Sequence, residues 1–139
     1  MQKRLLLGVV VFVFVSMILS GCQDTSSIQT KLRPQNVFLD STLVEFVNVS
    51  YKETINKSGG IESVTVSWLF HNIAGKMISI KINVQFYDKN NLFLYNASRF
   101  FSNMLSGYTE QTVLPSNTVI YDGPNVASVD HVVISVTEI

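Results

Sequence analysis

A two-residue alternation of apolar and polar side chains runs through the middle of this chain. In residues 63–71, Val and aromatic residues alternate with Ser and Thr, and residues 78–87 continue the pattern with Ile, Val and Phe. The apolar members are Val64, Val66, Trp68, Phe70, Ile78, Ile80, Ile82, Val84 and Phe86. Because successive side chains of a strand point to opposite faces, this period predicts two strands, each with one buried face. Residues 72–75 predict a tight hairpin connection between them, which would begin a meander.

Further short strands are predicted on both sides of this pair. The additional segments are 44–51, 92–95, 109–114, 117–121 and 130–137. Residues 52–60 are expected to form a mobile loop and residues 88–91 a turn, and no segment after residue 22 has a sustained helical period. About seven short strands predict an all-β protein, an antiparallel β-sandwich of the Ig-like or Greek-key type, which buries alternate side chains between two sheets.

The first 21 residues have the three parts of an export signal. Residues 2–4 supply a positive end, and residues 5–19 form an apolar segment about 22 Å long as a helix. This length falls short of the roughly 30 Å hydrocarbon core of a bilayer, so the segment suits translocation better than permanent spanning. The following Leu19-Ser20-Gly21-Cys22 resembles the lipobox of bacterial lipoproteins.

The lipobox resemblance concerns Cys22, which is the only cysteine in the sequence. It implies cleavage between Gly21 and Cys22 and attachment of a diacylglycerol, with fatty chains such as palmitate, to the Cys22 thiol. Lipid attachment removes a lone thiol that could form no internal disulfide in an exported protein, and two acyl chains suffice for stable anchoring. The alternative is an uncleaved transmembrane segment that leaves this thiol free.

The residues after the cleavage site are polar and lack a consistent period, which predicts a flexible tether up to residue 36. The predicted organisation is a signal peptide at 1–21, a lipidated cysteine and tether at 22–36, and a β-sandwich domain at 37–139. The residue next to the modified cysteine is Gln23, and the first acidic residue is Asp24. In bacteria with two membranes this favours the periplasmic face of the outer membrane over the inner membrane.

Charge excludes one class of partner. The chain has ten basic and ten acidic residues, and because Lys3 and Arg4 belong to the signal peptide, the rest has eight basic and ten acidic residues. Binding to nucleic acid depends on an excess of Lys and Arg, which displace counterions from phosphates. We therefore expect no nucleic-acid partner.

A second resemblance covers residues 62–139. An N-terminal lipobox and an apolar strand that ends in Phe86-Tyr87-Asp88 before a polar turn are similar to the small YcfL-like lipoproteins of bacteria. Leu114-Pro115 and the closing strand 130–136 are similar to the second half of that family. Asn90-Asn91 stand where the family has Gly, and because Asn also accepts positive φ, the turn is kept. The family has no established activity, so the resemblance implies an envelope β-domain.

Few residues are arranged for catalysis. His71 and His131 each fall on the polar side of a predicted strand without a third ligand at metal-binding spacing, so we interpret both as exposed, hydrogen-bonded histidines. No G-x-S-x-G nucleophile motif is present, and acidic residues lie beside turns or on polar faces, where charges are normally solvated. We expect no catalytic residue, no metal and no cofactor.

Aromatic residues between positions 93 and 108 are candidates for a partner-binding surface. They are Phe93, Tyr95, Phe100, Phe101 and Tyr108. Because Phe100 and Phe101 are adjacent, they must point to opposite faces of any strand, and one of them is expected to be exposed. Interfaces favour such side chains. The alternative is a strand that crosses between sheets, or an edge covered by residues 103–108.

Together these features predict a lipid-anchored, non-catalytic periplasmic module that binds or scaffolds another envelope protein. An exposed edge strand or the aromatic segment would provide the contact. One alternative is a lipoprotein subunit that fixes a secretion or conjugation apparatus to the outer membrane, which a loop with a hydrophobic tip would favour. A second alternative, a peptidoglycan hydrolase or lysozyme inhibitor, requires a cleft with converging polar groups.

Overall fold

Residues 35–139 are described by a computed structural model, and they form seven strands. The strands are β1 Val37–Asp40, β2 Val44–Ile55, β3 Ile61–Asn72, β4 Ile78–Tyr87, β5 Phe93–Met104, β6 Thr118–Tyr121 and β7 His131–Glu138, with 3₁₀ turns at Pro115–Asn117 and Val126–Ser128. The predicted all-β fold is confirmed. Within 35–139, no helix has the length and apolar character needed to cross a membrane. The predicted signal peptide and Cys22 lie outside the described residues.

Two sheets face each other. One has the strand order β1-β7-β4-β5 and the other β2-β3-β6. The chain passes from one sheet to the other after β1, β3, β5 and β6, a Greek-key type of connection that suits a sandwich. The predicted hairpin at residues 72–75 is therefore wrong, because β3 and β4 lie in different sheets and do not pair. Neighbouring strands are antiparallel except β1 and β7, which run parallel. The sandwich is therefore mixed at this one pair, because β1 enters beside the last strand before the chain crosses to β2.

The hydrophobic core lies between the sheets and contains the alternating residues that predicted the strands. Val64, Val66, Trp68 and Phe70 are all at most 1% exposed on β3, and the five alternate residues from Ile78 to Phe86 on β4 are at most 2% exposed. Burial of each such side chain contributes roughly 1.5–3 kcal/mol relative to exposure. The two-residue period therefore identified the strands whose burial stabilises the fold most.

Two strands are longer than their sequence patterns predict. β2 continues to Ile55, so the predicted 52–60 loop is wrong for its first half, and only residues 56–60 form the connection. β5 extends from Phe93 to Met104, whereas the sequence predicted a strand only at 92–95. Both extensions lack a regular apolar period, because each belongs to a strand at the edge of its sheet. Pairing with an alternating neighbour, β3 or β4, extends them.

The prediction of a strand at 109–114 is wrong. Only Thr109 forms a bridge, to His71, and residues 110–114 belong to the connection that leads to Pro115. The position beside β3 that a longer strand would need is taken by β6, which pairs with residues 64–67. The seventh strand is instead β1, in the other sheet. The sequence did not predict β1 because four residues are too few to establish an alternation.

Candidate functional site

Strand β5 forms one edge of the four-stranded sheet and carries four of the five aromatic residues predicted as a partner surface. Its register against β4 pairs Tyr95 with Phe86 and Phe101 with Ile80, so these two aromatic residues point inward. Phe93 and Phe100 point outward and are 52% and 60% exposed. The expectation that Phe100 and Phe101 occupy opposite faces is confirmed, with Phe100 as the exposed member.

The five predicted residues do not form one patch. The Tyr95 ring stacks on Tyr121 with 4.8 Å between ring centroids, and it packs against the core. Phe101 also packs against the core and lies 6.1 Å from the ring of Tyr108, which is 42% exposed on the following loop. The two outward residues of β5 are seven positions apart, about 23 Å along a strand at roughly 3.3 Å per residue. The exposed aromatic surface is therefore divided between the two ends of β5.

The free edge of β5 carries a single charged side chain, Arg99. Arg99 Nη1 donates to the Ser98 carbonyl at 3.0 Å, and Nη2 donates to the Thr118 carbonyl of β6 at 3.2 Å. The guanidinium therefore joins the edges of the two sheets and covers one β5 carbonyl that does not face β4. An inward-pointing charge at an edge strand is one of the ways in which proteins limit unwanted strand pairing.

The β5 strand is held in place at its end by Asn72, which is only 1% exposed. Its amide nitrogen lies 2.9 Å from each of the carbonyl oxygens of Lys76, Met104 and Leu105, and its amide oxygen accepts from Ala74 N–H at 2.9 Å. One side chain thus connects the β3–β4 turn to the end of β5. Sequence reasoning placed residue 72 in a turn and gave no sign of this role.

The loop after β5 is attached to β3 by a buried carboxyl group. Glu110 is 7% exposed, and its Oε2 accepts the Phe70 backbone N–H at 2.7 Å. Burial raises the pKa of the Glu110 carboxyl, and the hydrogen bond from Phe70 only partly opposes this effect. The sequence analysis did not single out Glu110, since nothing in its neighbourhood distinguishes it from a solvated acid.

Both histidines are half-buried, so the prediction that they are exposed is wrong, although each has a hydrogen-bond partner as expected. His71 Nδ1 lies 2.6 Å from Thr109 Oγ1, and His131 Nδ1 lies 3.0 Å from Asp130 Oδ2. Neighbouring strands and loops cover the imidazoles. Among residues 35–139, no group of three or more His, Cys, Asp or Glu side chains is arranged to hold a metal ion.

A row of aromatic rings crosses the outer face of the four-stranded sheet, and the sequence analysis missed it. This aromatic row consists of Phe38 on β1, His131 on β7, Tyr87 on β4 and Phe93 on β5. The central His131 and Tyr87 rings stack with 5.3 Å between centroids and an interplanar angle of 11°. Phe38 and Phe93 meet this pair edge-on at 6.1 Å and 6.0 Å. Because β1 was not predicted, its alignment with the other three strands could not be foreseen.

An open depression of about 480 Å³ lies beside the β1 end of the aromatic row. Its lining combines two rings of the row with amide, charged and aliphatic side chains: Gln35, Asn36, Phe38, Lys89, Asn91, Asp130, His131 and Val133. This lining contains no hydroxyl or thiol side chain that could act as a nucleophile. Its amides and charges can donate and accept hydrogen bonds, so the depression is suited to binding.

Comparison with known proteins gave no match: no family model fits this chain, and no curated protein or solved structure is similar to it. The similarity to YcfL-like lipoproteins therefore stays a prediction.

Proposed function

We propose that this protein is a lipid-anchored, non-catalytic module of the bacterial envelope that binds an extended segment of another envelope protein along β5. The N-terminal lipobox supports the anchor, with Cys22 as the lipidated residue and the periplasmic face of the outer membrane as its location. The open edge of β5 supports the binding role. That twelve-residue edge is the observation on which the proposal rests.

An edge strand offers main-chain donors and acceptors to a partner strand, and these groups supply affinity without requiring a particular sequence. β5 is paired regularly with β4 from Tyr95 to Phe101, so its opposite side presents a regular row of backbone groups. Because the Ser98 carbonyl faces away from β4, the backbone groups of Asn96, which lies two residues earlier, face the same way. A partner strand would pair along this stretch.

Phe100 supplies the side-chain contact in this proposal. It is 60% exposed on the outer face, next to the free edge, and an aromatic side chain beside an added strand can fill a pocket on the partner. Arg99 keeps the edge covered when no partner is bound, since its hydrogen bond to Ser98 must open before a strand can pair there. Arg99 thereby selects for partners that bind well enough to displace it.

A proline at position 96 tests the proposal. Asn96→Pro removes the N–H on the free side of β5 and places a ring there, while the pairing with β4 is retained because that N–H does not take part in it. Asn96→Ala is the matched control, since it truncates the same side chain and keeps the N–H. The readout is quantitative mass spectrometry of envelope proteins that co-purify with the tagged, full-length chain.

We expect at least one envelope protein to co-purify with wild type and with Asn96→Ala, and to be lost with Asn96→Pro. Equal recovery with both variants would refute strand addition at β5. A melting temperature measured for each variant separates loss of binding from loss of folding.

A second candidate, a subunit that fixes a secretion or conjugation apparatus to the outer membrane, is supported by the loop after β5. Leu105, Val113 and Leu114 are 61%, 47% and 53% exposed there, which gives this loop a hydrophobic surface. In that case Leu105→Ser combined with Leu114→Ser would abolish co-purification of the partner, and Asn96→Pro would leave it intact. The two candidates therefore predict opposite results with the same assay.

A further inference from the structure

Two rings of the aromatic row, Phe38 and His131, line the depression and give it an apolar part, and Tyr87 and Phe93 continue the row beyond it. Phe38 and Phe93, at the two ends of the row, are each 52% exposed on the outer face of the sheet. Stacking of His131 on Tyr87 holds the centre of the row, and the edge-on contacts hold its two ends. An apolar ligand face placed here would meet rings that already occupy their positions.

The rim of the depression is polar and nearly balanced in charge. Gln35, Asn36 and Asn91 contribute amide groups, each of which can both donate and accept hydrogen bonds. Lys89 adds one positive charge and Asp130 one negative charge. A ligand in this depression would therefore meet donors and acceptors in comparable numbers rather than a field of one sign.

Hydrogen bonds fix both walls of the depression before a ligand arrives. In the β4–β5 turn, Asp88 Oδ1 accepts the N–H groups of Asn90 and Leu92, each at 2.8 Å, and Asn91 has a φ of 61°. On the opposite wall, Asn36 accepts the Val132 N–H at 2.8 Å through its carbonyl. Walls that are ordered in advance reduce the entropic cost of binding.

We propose that this depression and the aromatic row form a binding site for a neutral oligosaccharide. A sugar ring carries hydroxyl groups that can pair with the amides of Gln35 and Asn91, and C–H faces that pack on aromatic rings. An anion would meet the Asp130 carboxylate as well as the Lys89 ammonium group, and a wholly apolar ligand would gain no hydrogen bond from the rim. The depression, of about 480 Å³, is open to solvent, so a sugar bound here would keep part of its surface exposed.

The proposed oligosaccharide site is separate from the free edge of β5. It does not depend on the partner-binding function proposed for that edge. Gln35 and Asn36 are the last two residues of the predicted tether, so the depression lies at the end of the domain where the chain enters β1. Phe100 lies on the same face of the same sheet but near the opposite end of β5. It therefore provides a matched control for the exposed rings of the row.

The test uses the full chain, isotope-labelled and purified in an amine-oxide detergent, which carries no sugar. Chitotetraose and cellotetraose are titrated separately, and amide resonances are followed by NMR. We expect resonances of residues 35–38, 87–93 and 130–133 to shift with at least one of the two sugars. Phe38→Ala and Asn91→Gly should each weaken this binding by at least about fivefold, which is close to 1 kcal/mol.

Phe100→Ala should leave the sugar affinity unchanged. Asn91→Gly keeps the turn, because Gly accepts the positive φ at this position, so it tests the amide even if Phe38→Ala impairs folding. The proposal is overturned if neither sugar shifts these resonances at about 10 mM, a concentration that detects even weak binding. It is also overturned if Phe100→Ala weakens binding as much as Phe38→Ala does, or if inorganic phosphate shifts the same resonances and the sugars do not.

Discussion

The β2 and β5 strands are both twelve residues long and both lie at the edge of a sheet, yet their exposed edges differ in chemistry. β2 carries Glu45, Lys52 and Glu53 on exposed positions, and a bulge at Val47 interrupts its pairing with β3. Both features discourage another strand from adding. β5 has only Arg99, which is drawn inward by hydrogen bonds to two carbonyl groups.

This difference is one reason why we propose the β5 edge, and not the β2 edge, for a partner. Every sandwich that is not closed must keep its edges from pairing with other chains, and β2 does so by charge and irregular geometry. On β5 the protection is a single side chain, Arg99, which is held by hydrogen bonds to two carbonyl groups. A partner strand would have to displace only this side chain.

The largest expected effect concerns how the end of β5 is held. Asn72→Ala should lower the free energy of unfolding by roughly 3 kcal/mol, because carbonyl groups that it satisfies would be left buried without a donor. Chemical denaturation measures the loss. Asn83→Ala is the control, since Asn83 is half-buried on the outer face and its side-chain oxygen accepts one hydrogen bond from β5, from Ser98 Oγ. Equal losses in the two variants would mean that Asn72 does not specifically hold β5.

The two faces of β5 should respond differently to loss of an aromatic ring. Phe101→Ser should cost about 2 kcal/mol of folding free energy, because this ring packs against the core. Phe100→Ser should cost less than about 0.5 kcal/mol, because its ring is exposed. Thermal unfolding of both variants is the measurement. Equal large losses would show that Phe100 is a core residue and could not serve as a partner contact.

Glu110 should make the stability of the β5–β6 region depend on pH. Since its folded pKa is raised, the native state binds a proton more tightly than the unfolded state does. Its stabilising contribution is complete below the ordinary value of 4.5 and is lost as pH rises through the raised value. Glu110→Gln should flatten this slope, with a change of less than about 1 kcal/mol at any one pH.

The matched control for Glu110 is Glu62→Gln, an exposed acid on β3. Urea denaturation between about pH 4 and pH 8 gives the slope for each variant, because these limits span the transition in protonation. A Glu110→Gln variant whose slope equals that of wild type would contradict the assigned burial of this carboxyl.

The smallest effect on stability is expected from substitutions that remove charge from the β2 edge or add charge to the β5 edge. Lys52→Val with Glu53→Val removes two charges from the β2 edge, and Asn96→Lys adds one to the β5 edge. All three positions are exposed, so folding should change by less than about 0.5 kcal/mol in either variant. We expect the first variant to self-associate in light scattering and the second to lose its envelope partner. If the first variant does not self-associate and the second keeps its partner, charge does not explain the difference between the β2 and β5 edges.

The sequence predicted the fold class and the central strands because β3 and β4 alternate strictly and are buried on one face. It failed where the residues alone carry no period. The β5 strand was predicted too short, since its pairing is imposed by β4, and residues 109–114 were predicted as a strand although β6 occupies that place. A register across four strands, which creates the aromatic row, is a property of the assembled sheet.

Among the candidate site residues, adjacency alone settled that Phe100 and Phe101 face opposite ways. It could not settle which of the two is exposed, because that depends on which residue of β4 lies opposite each one. Likewise Tyr95 was predicted to belong to the partner-binding surface, yet it stacks on Tyr121, which lies on the opposite sheet.

Site-specific photo-crosslinking in cells is the sharpest test of partner binding along β5. A photoreactive residue is introduced at position 96 on β5 and, in a separate variant, at position 52 on β2, with the lipobox cysteine intact. We expect position 96 to give a discrete adduct with an envelope protein, at one extended segment of that protein, and position 52 to give none. Adducts of equal yield from both positions, or none from position 96, would contradict partner binding along β5.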